Sequence, residues 1–325
     1  MKIQNIYVEE RVKEHSKTKK ILGKIKFENI IYCKSYTEIL NPTNQNFRIQ
    51  KMNPSLILAK KENNFIFKTP KRFTIGFYKN YYFSHMLNCV YDCKYCYLQG
   101  MLNSANYLIF VNYEDFYLSI KKKIKELSEP ICFFSGYDCD SLALEHITNF
   151  LEEFLPHFKN LRNGYLEIRS KSVNTSVLKK REPLTNVIPA FSLNPQLVIE
   201  NFEDRTPNLE TRLKAIKNLQ EKGWNIGIRF DPLIFYGSKK NYINFFEEVF
   251  AFLDIKKIHS VTLGNFRMPK NYLKKMAKIR PEDKLVQQNY VNLLFKKENK
   301  YSNHMVFFCY QQILKFIQKR KVFIN

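Results

Sequence analysis

Three cysteines, Cys89, Cys93 and Cys96, fall in the run NCVYDCKYCYLQG with the spacing C-x3-C-x2-C. Three thiolates can hold three irons of a [4Fe–4S] cube. The fourth iron is then open to a substrate or cofactor, so the spacing points to a cluster that does chemistry. Zinc is the competing reading. A structural zinc takes four ligands, usually as two paired C-x2-C or C-x2-H units. Here one cysteine pair has x2 spacing and no second pair follows. His85, Cys132 or Cys139 would have to supply the fourth ligand.

Such a loop needs a scaffold, and from about residue 80 the sequence supplies a regular one. Short apolar or β-branched runs occur at 81–87, 131–136, 165–170, 187–193, 224–232 and 259–263. Between most of them lie helical patterns. The stretch 114–127 is apolar at Phe116, Ile120, Ile124 and Leu127, and 142–155 at Leu144, Ile147, Leu151 and Phe154. In 208–221, Thr206 and Pro207 predict a cap and first turn, and Gly223 a stop. The stretch 241–253 is apolar at Ile243, Phe246, Val249 and Phe250. Six strands alternating with helices imply a parallel sheet with right-handed crossovers. The expected architecture is α/β, a partial (β/α)6 TIM-type barrel over 76–265. Its active residues belong at the C-terminal strand ends, and the cysteine loop follows the first strand.

Two segments flank this core. Residues 1–75 read as a lysine-rich α+β extension packed on it, with short strands or helix fragments at 27–33 and 55–59. Cys33 reads as a packed core residue. Residues 266–325 read as an α+β tail with a basic stretch at 270–278 and a helix at 305–317. In its polar-aromatic stretch, 287–301, basic residues are interleaved with Tyr290, Phe295 and Tyr301. That pattern suits phosphate contact plus base stacking, or an ordinary solvated hairpin.

Lys and Arg number 53 and Asp and Glu 30, a net charge of +23 over 325 residues. Nucleic acid is the polyanionic partner such an excess suits. A bias toward Lys, Asn and Ile accounts for part of it. No apolar run approaches the roughly 20 residues that span a bilayer, and MKIQNIYVEERVKEH lacks a signal-peptide core. Seven cysteines without framework spacing suit a reducing cytoplasm. No membrane partner is expected, and a monomer is.

With Tyr95 directly before its last cysteine, the C-x3-C-x2-C run is identified as the signature of radical S-adenosylmethionine (SAM) enzymes. More of the chain resembles one branch of them, the spore photoproduct lyase family. The matching blocks are CVYDCKYCYLQ at 89–99, VNYEDF at 111–116, DSLALEHIT at 140–148, EIRSKSVN at 167–174, FSLNP at 191–195, RTPNLETRLKAIKNLQEKGWNIGIRFDPLI at 205–234 and LGNFRMP at 263–269. Upstream, QNFRIQKMNPSLILAKK resembles the family's leading segment. The resemblance implies a radical-SAM partial barrel, a [4Fe–4S] cluster, SAM and a DNA repair lyase. Its substrate is spore photoproduct, 5-thyminyl-5,6-dihydrothymine, in UV-damaged DNA. An electron donor such as flavodoxin or ferredoxin is implied too. The alternative is a related radical-SAM enzyme acting on another nucleic acid or a peptide.

The resemblance also assigns roles. Cys89, Cys93 and Cys96 match the iron ligands. Lys171 and Ser192 match positions near SAM, and Ser135 and Gly136 end the second strand, where SAM's amino group is often met. Tyr95 and Tyr97 match tyrosines proposed to relay hydrogen atoms. The chain departs from the family at the hydrogen donor, where a cysteine is expected just upstream of the aspartate matching Asp140. Here Tyr137 takes that place and Cys139 follows two residues later. If the strand continues, the two share a face, and Cys139 is then the expected donor, with Tyr137 and Cys132 as alternatives. Arg267, Lys296 and Lys297 are candidates to wedge into DNA.

Overall fold

The computed structural model describes residues 2–70, 72–294 and 300–325, except for the side chains of 300–302. Seven strands run parallel in chain order: Lys79–Tyr82, Ile131–Ser135, Gly164–Ser170, Val187–Ser192, Ile226–Leu233, Ile258–Asn265 and Val322–Ile324. An antiparallel strand, Phe67–Lys68, closes the far edge. Six strands answer to the expected ones, although the first, expected at 81–87, ends at Tyr82 and Met86–Leu87 joins another sheet, and the sheet curls into the expected half-barrel. The seventh strand comes from the tail.

Each strand alternates between two faces. Leu166 and Ile168 join the large core under the outer helices, while Glu167 and Arg169 point the other way. Helix Leu209–Lys222 packs Leu213, Ile216 and Leu219 into that core. Its cap is Asn208, whose side chain accepts from the Thr211 amide at 2.9 Å, and not Thr206. Gly223 ends it at φ +104°.

One expected helix is broken. The stretch 142–155 forms Glu145–Thr148 and Phe150–Phe158, separated by Asn149 at φ 48°. The reason is that its apolar residues serve two cores. Leu144 and Ile147 pack on the N-terminal sheet, whereas Leu151 and Phe154 pack on the barrel.

That N-terminal sheet has five strands in the order Lys26–Cys33, Lys2–Glu9, Leu56–Ala59, Tyr107–Phe110, Met86–Leu87. The last two lie within 76–265, so strand pairing crosses the 75/76 boundary. The seventh barrel strand likewise crosses 265/266. Cys33 is buried. The described parts of 287–301 are helical, in Lys284–Leu294 and at the start of Lys300–Ile313. Phe295, Lys296 and Lys297 lie outside the described residues, as does the side chain of Tyr301. The tail helix expected at 305–317 runs over Lys300–Ile313. Among the described residues no helix is long and apolar enough to cross a membrane.

Candidate active site

The barrel strands end together at a cavity of about 540 Å³. Ser135, Ser170–Lys171, Ser192, Asp231 and Asn265 bring it the ends of five strands. The loop after the first strand brings Cys89, Cys93 and Cys96, with Tyr95 and Tyr97 between and beyond them. Gly136, Tyr137 and Cys139 complete the sequence-derived set, all of it on this one wall.

The cysteine loop is tied on both sides. Its strand Asp92–Cys93 pairs antiparallel with Glu203–Asp204. Its helix Leu98–Met101 lies against Lys270–Ile279 at Gly100, where a Cβ would stand 2.5 Å from the Tyr272 carbonyl oxygen. Gln99 Nε2 donates to the Cys93 carbonyl at 2.9 Å, and Arg280 Nε donates to Gln99 at 2.6 Å. None of the three cysteines is in a disulfide. Burial pushes the Cys89 thiol up to about 12, and raises those of Cys93 and Cys96 as well. Iron must therefore displace their protons.

The donor set fits a cube with one open iron. Three thiols face one cavity, each free to take a different iron. Among the described residues no three His, Cys, Asp or Glu side chains converge on a single-ion position. Of the fourth zinc ligands weighed above, His85 stacks on Phe150 with ring centroids 3.9 Å apart. Cys132 is packed with Ile75, Phe134 and Ile188, off the cavity wall.

Lys171 stands 5.5 Å from the centre of the Tyr95 ring. Burial opposes its charge, but Cys93 and Glu203 hold its pKa above the ordinary lysine value. Its backbone is set by Asp140, which accepts from the Lys171 amide at 2.7 Å and the Ser170 hydroxyl at 2.6 Å. The same carboxylate accepts from the Leu142 and Ala143 amides. Asp140 thus staples the turn after the second strand to the end of the third.

Gly136 begins that turn at φ +76°. A Cβ there would meet Ser141 Oγ at 2.4 Å and the Arg169 carbonyl oxygen at 2.7 Å, so this position requires glycine. The second strand stops at Ser135, and the alternation expected to carry Tyr137 and Cys139 onto one face is absent. The turn itself brings both to the cavity. Cys139 is 7% exposed, packs with Leu144 and Ile147, and keeps its proton because burial raises its pKa. Tyr137 stacks on Tyr82 at 4.1 Å.

The two loop tyrosines are anchored differently. Tyr97 donates to the Tyr137 carbonyl at 2.5 Å and to Asp138 at 3.2 Å. Tyr95 donates to buried Glu203, which also accepts from Asn194 at 2.9 Å and pairs with Arg212 at 2.5 Å. Burial works against the Glu203 charge; Lys171 and Arg212 more than offset it and hold the carboxyl below the usual range. Arg212 also donates to the Ser192 carbonyl at 3.0 Å, fixing that strand end.

Sequence reasoning assigned no role to Asp140, Arg169, Glu203 or Arg212. Each lies inside or beside a motif block already singled out, and only Glu203 falls outside all of them. Arg169 Nη2 and Asn194 Oδ1 are buried without a hydrogen-bond partner, and Arg169 lines the cavity. A ligand with acceptors, as SAM has, suits the Arg169 atom. Phe73 stands edge-on to Tyr137 at 6.0 Å, with the Arg169 guanidinium 4.7 Å over its ring. Exposed Arg72 and Arg267 sit on the rim.

The solved structure of a spore photoproduct lyase mutant with bound AdoMet and dinucleoside spore photoproduct has the same fold. The TM-score is 0.81 at 18% identity, over 99% of this chain and 98% of that one. A spore photoproduct lyase complexed with dinucleoside spore photoproduct superposes with a TM-score of 0.78 at 18% identity, over 99% and 98%. Spore photoproduct lyase of Bacillus subtilis is 25% identical over 297 residues, 88% of this chain and 82% of the relative. That of Clostridium acetobutylicum is 26% identical over 63% of this chain and 62% of its own. The sequence model of the family described as spore photoproduct lyase matches residues 1–316, and this chain belongs to the spore photoproduct lyase family.

Proposed function

We propose that this protein reverses spore photoproduct in DNA, restoring two thymines. One observation carries the reading: in a chain of this family, three cysteine thiols, a half-buried lysine and an aromatic wall share one cavity at the strand ends. Bound there, a [4Fe–4S] cluster and SAM would supply the radical chemistry that removes hydrogen from the lesion.

The chain's own groups do the rest. Cys89, Cys93 and Cys96 would hold the cluster. Lys171 offers its ammonium to SAM's carboxylate or ribose, and Ser192 a hydroxyl. Ser135 and Gly136 present the strand end to SAM's amino group. Arg169 Nη2 offers a further donor. Phe73 and Tyr137 give the lesion's planar thymine ring a stacking wall. Arg72 and Arg267 at the rim meet phosphates, and the lesion leaves the stack to reach the cavity. Cys139 returns a hydrogen atom to the thymine radical. Its S–H suits this because burial keeps it protonated. Tyr97 and Tyr95, on the same loop as the three cysteines, relay the hydrogen atom onward.

The test is anaerobic. The protein is reconstituted with iron and sulfide, then given SAM, dithionite and an oligomer carrying spore photoproduct beside undamaged TpT. Mass spectrometry follows thymine and 5′-deoxyadenosine. Lesion-dependent thymine is the expected result. SAM cleavage without thymine would overturn the substrate and direct attention to another nucleic acid or a peptide.

A further inference from the structure

The leading segment QNFRIQKMN resembles the family's own, yet the reaction above uses none of it. In the fold its helix, Phe47–Met52, leans on the outside of the cysteine loop. Phe47 and Lys51 face inward and are buried. The Lys51 ammonium donates to the Cys89 carbonyl. Arg48 pairs with Asp92 at 2.7 Å, and Arg205 donates to the Lys51 carbonyl at 3.2 Å. A small second cleft opens here, lined by Phe47, Lys51 and Asp92 and sharing Cys89 and Cys96 with the main cavity. The helix therefore touches the cysteine loop outside the cavity that SAM and substrate need.

The outward face of this helix is unusual for a solvated one. Ile49 and Met52, one helical turn apart on the same side, are 66% and 77% exposed. Beside them stand half-buried Arg48 and exposed Arg205. The nearby carboxylate of Asp92 is already shared between Arg48 and Arg280, so the local balance is positive. A small apolar contact ringed by cations suits a transient acidic protein, because redox encounters use small interfaces and electrostatic steering sets their rate.

We propose that an acidic one-electron carrier of the ferredoxin class docks on the Phe47–Met52 face and reduces the cluster through it. The carrier loses one electron and the cluster gains it, with no bond made or broken. The hydrogen bond from Lys51 to the Cys89 carbonyl links the docking helix directly to a cluster ligand. Docking here leaves the main cavity to SAM and DNA, so reduction and substrate binding do not compete. The proposal rests on the cluster reading above.

The test uses the full chain, reconstituted and anaerobic, carrying Ile49→Glu and Met52→Glu together. Stopped-flow absorbance follows bleaching of the cluster by reduced ferredoxin and, separately, by dithionite. The expected result is at least a tenfold fall in the ferredoxin rate constant with the dithionite rate unchanged. The pair Ile49→Lys and Met52→Lys should keep or raise the ferredoxin rate, and salt should slow the parent's. Equal ferredoxin rates in the glutamate variant and the parent would overturn the docking face alone. So would an equal fall with dithionite, since the substitutions would then act through the fold. Failure of the parent to bleach with dithionite would instead overturn the cluster reading, and the docking with it.

Discussion

Glu203→Gln is the most informative single perturbation of the candidate site. Glu203 and its partner Arg212 have no exposed side-chain surface and pair at 2.5 Å. Glu203 also takes hydrogen bonds from Tyr95 and Asn194, and Lys171 stands within its field. Glutamine keeps the shape and one acceptor but removes the carboxylate charge that balances buried Arg212 and supports half-buried Lys171. Breaking a buried pair from one side costs about 3–5 kcal/mol. Removing both partners costs less than the sum, so Glu203→Gln with Arg212→Met should recover about 2 kcal/mol of that loss. The assay is urea unfolding of the apoprotein read by Trp224, the sole tryptophan and fully buried. The pH dependence adds a second arm. The native carboxyl is depressed, so its stabilisation is present above the unfolded value of about 4.3 and is lost as pH falls through the native one. The variant should lack that acid loss. A single-variant cost below about 1 kcal/mol, or strict additivity in the double variant, would refute the account.

Gly136→Ala should destabilise the protein by about 2 kcal/mol or more, from the positive φ and the 2.4 Å approach to Ser141. A lowered melting temperature together with weakened SAM binding to the apoprotein would check it. Glu145 is buried, and that pushes its carboxyl up to about 8. Because the native value is raised, the stability is complete below about pH 4.3 and is lost as pH rises toward 8. Glu145→Gln should flatten urea midpoints across that window, gaining up to about 4 kcal/mol over the parent at pH 8.5. Cys139→Ala should lower the thymine yield and raise side products, whereas unchanged clean repair would shift the donor role to Tyr137. DNA affinity should fall with salt at a slope of about −0.9 per phosphate neutralised, and a flat response would make the +23 charge compositional.

The barrel was legible because its signals are local. Each strand is a short apolar run, and each long helix repeats its apolar residues at helical spacing. The cysteine spacing was legible because ligand chemistry constrains neighbouring residues. What escaped depends on contacts between distant segments. Asn149 breaks a helix whose apolar pattern is continuous, because two separate cores divide it. The strand Lys2–Glu9 carries polar residues at Lys2, Gln4, Asn5 and Glu9, which mask a strand buried between two parallel neighbours. Glu203 gains its role only when Arg212, Tyr95 and Asn194 meet it. No pattern around residue 203 announces a buried carboxylate at the centre of a site.

The threading of the two sheets bears on how the protein can be cut. Met86–Leu87 and Tyr107–Phe110 belong to the N-terminal sheet, and the cysteine loop is the excursion between them. A fragment beginning at residue 76 would keep every sequence-derived site residue yet leave Tyr107–Phe110, fully buried in the intact chain, as a bare apolar edge. Such edges pair with other chains. The leading segment of the polypeptide is therefore no detachable appendage, and during synthesis its sheet stays unfinished until the cysteine loop has also emerged.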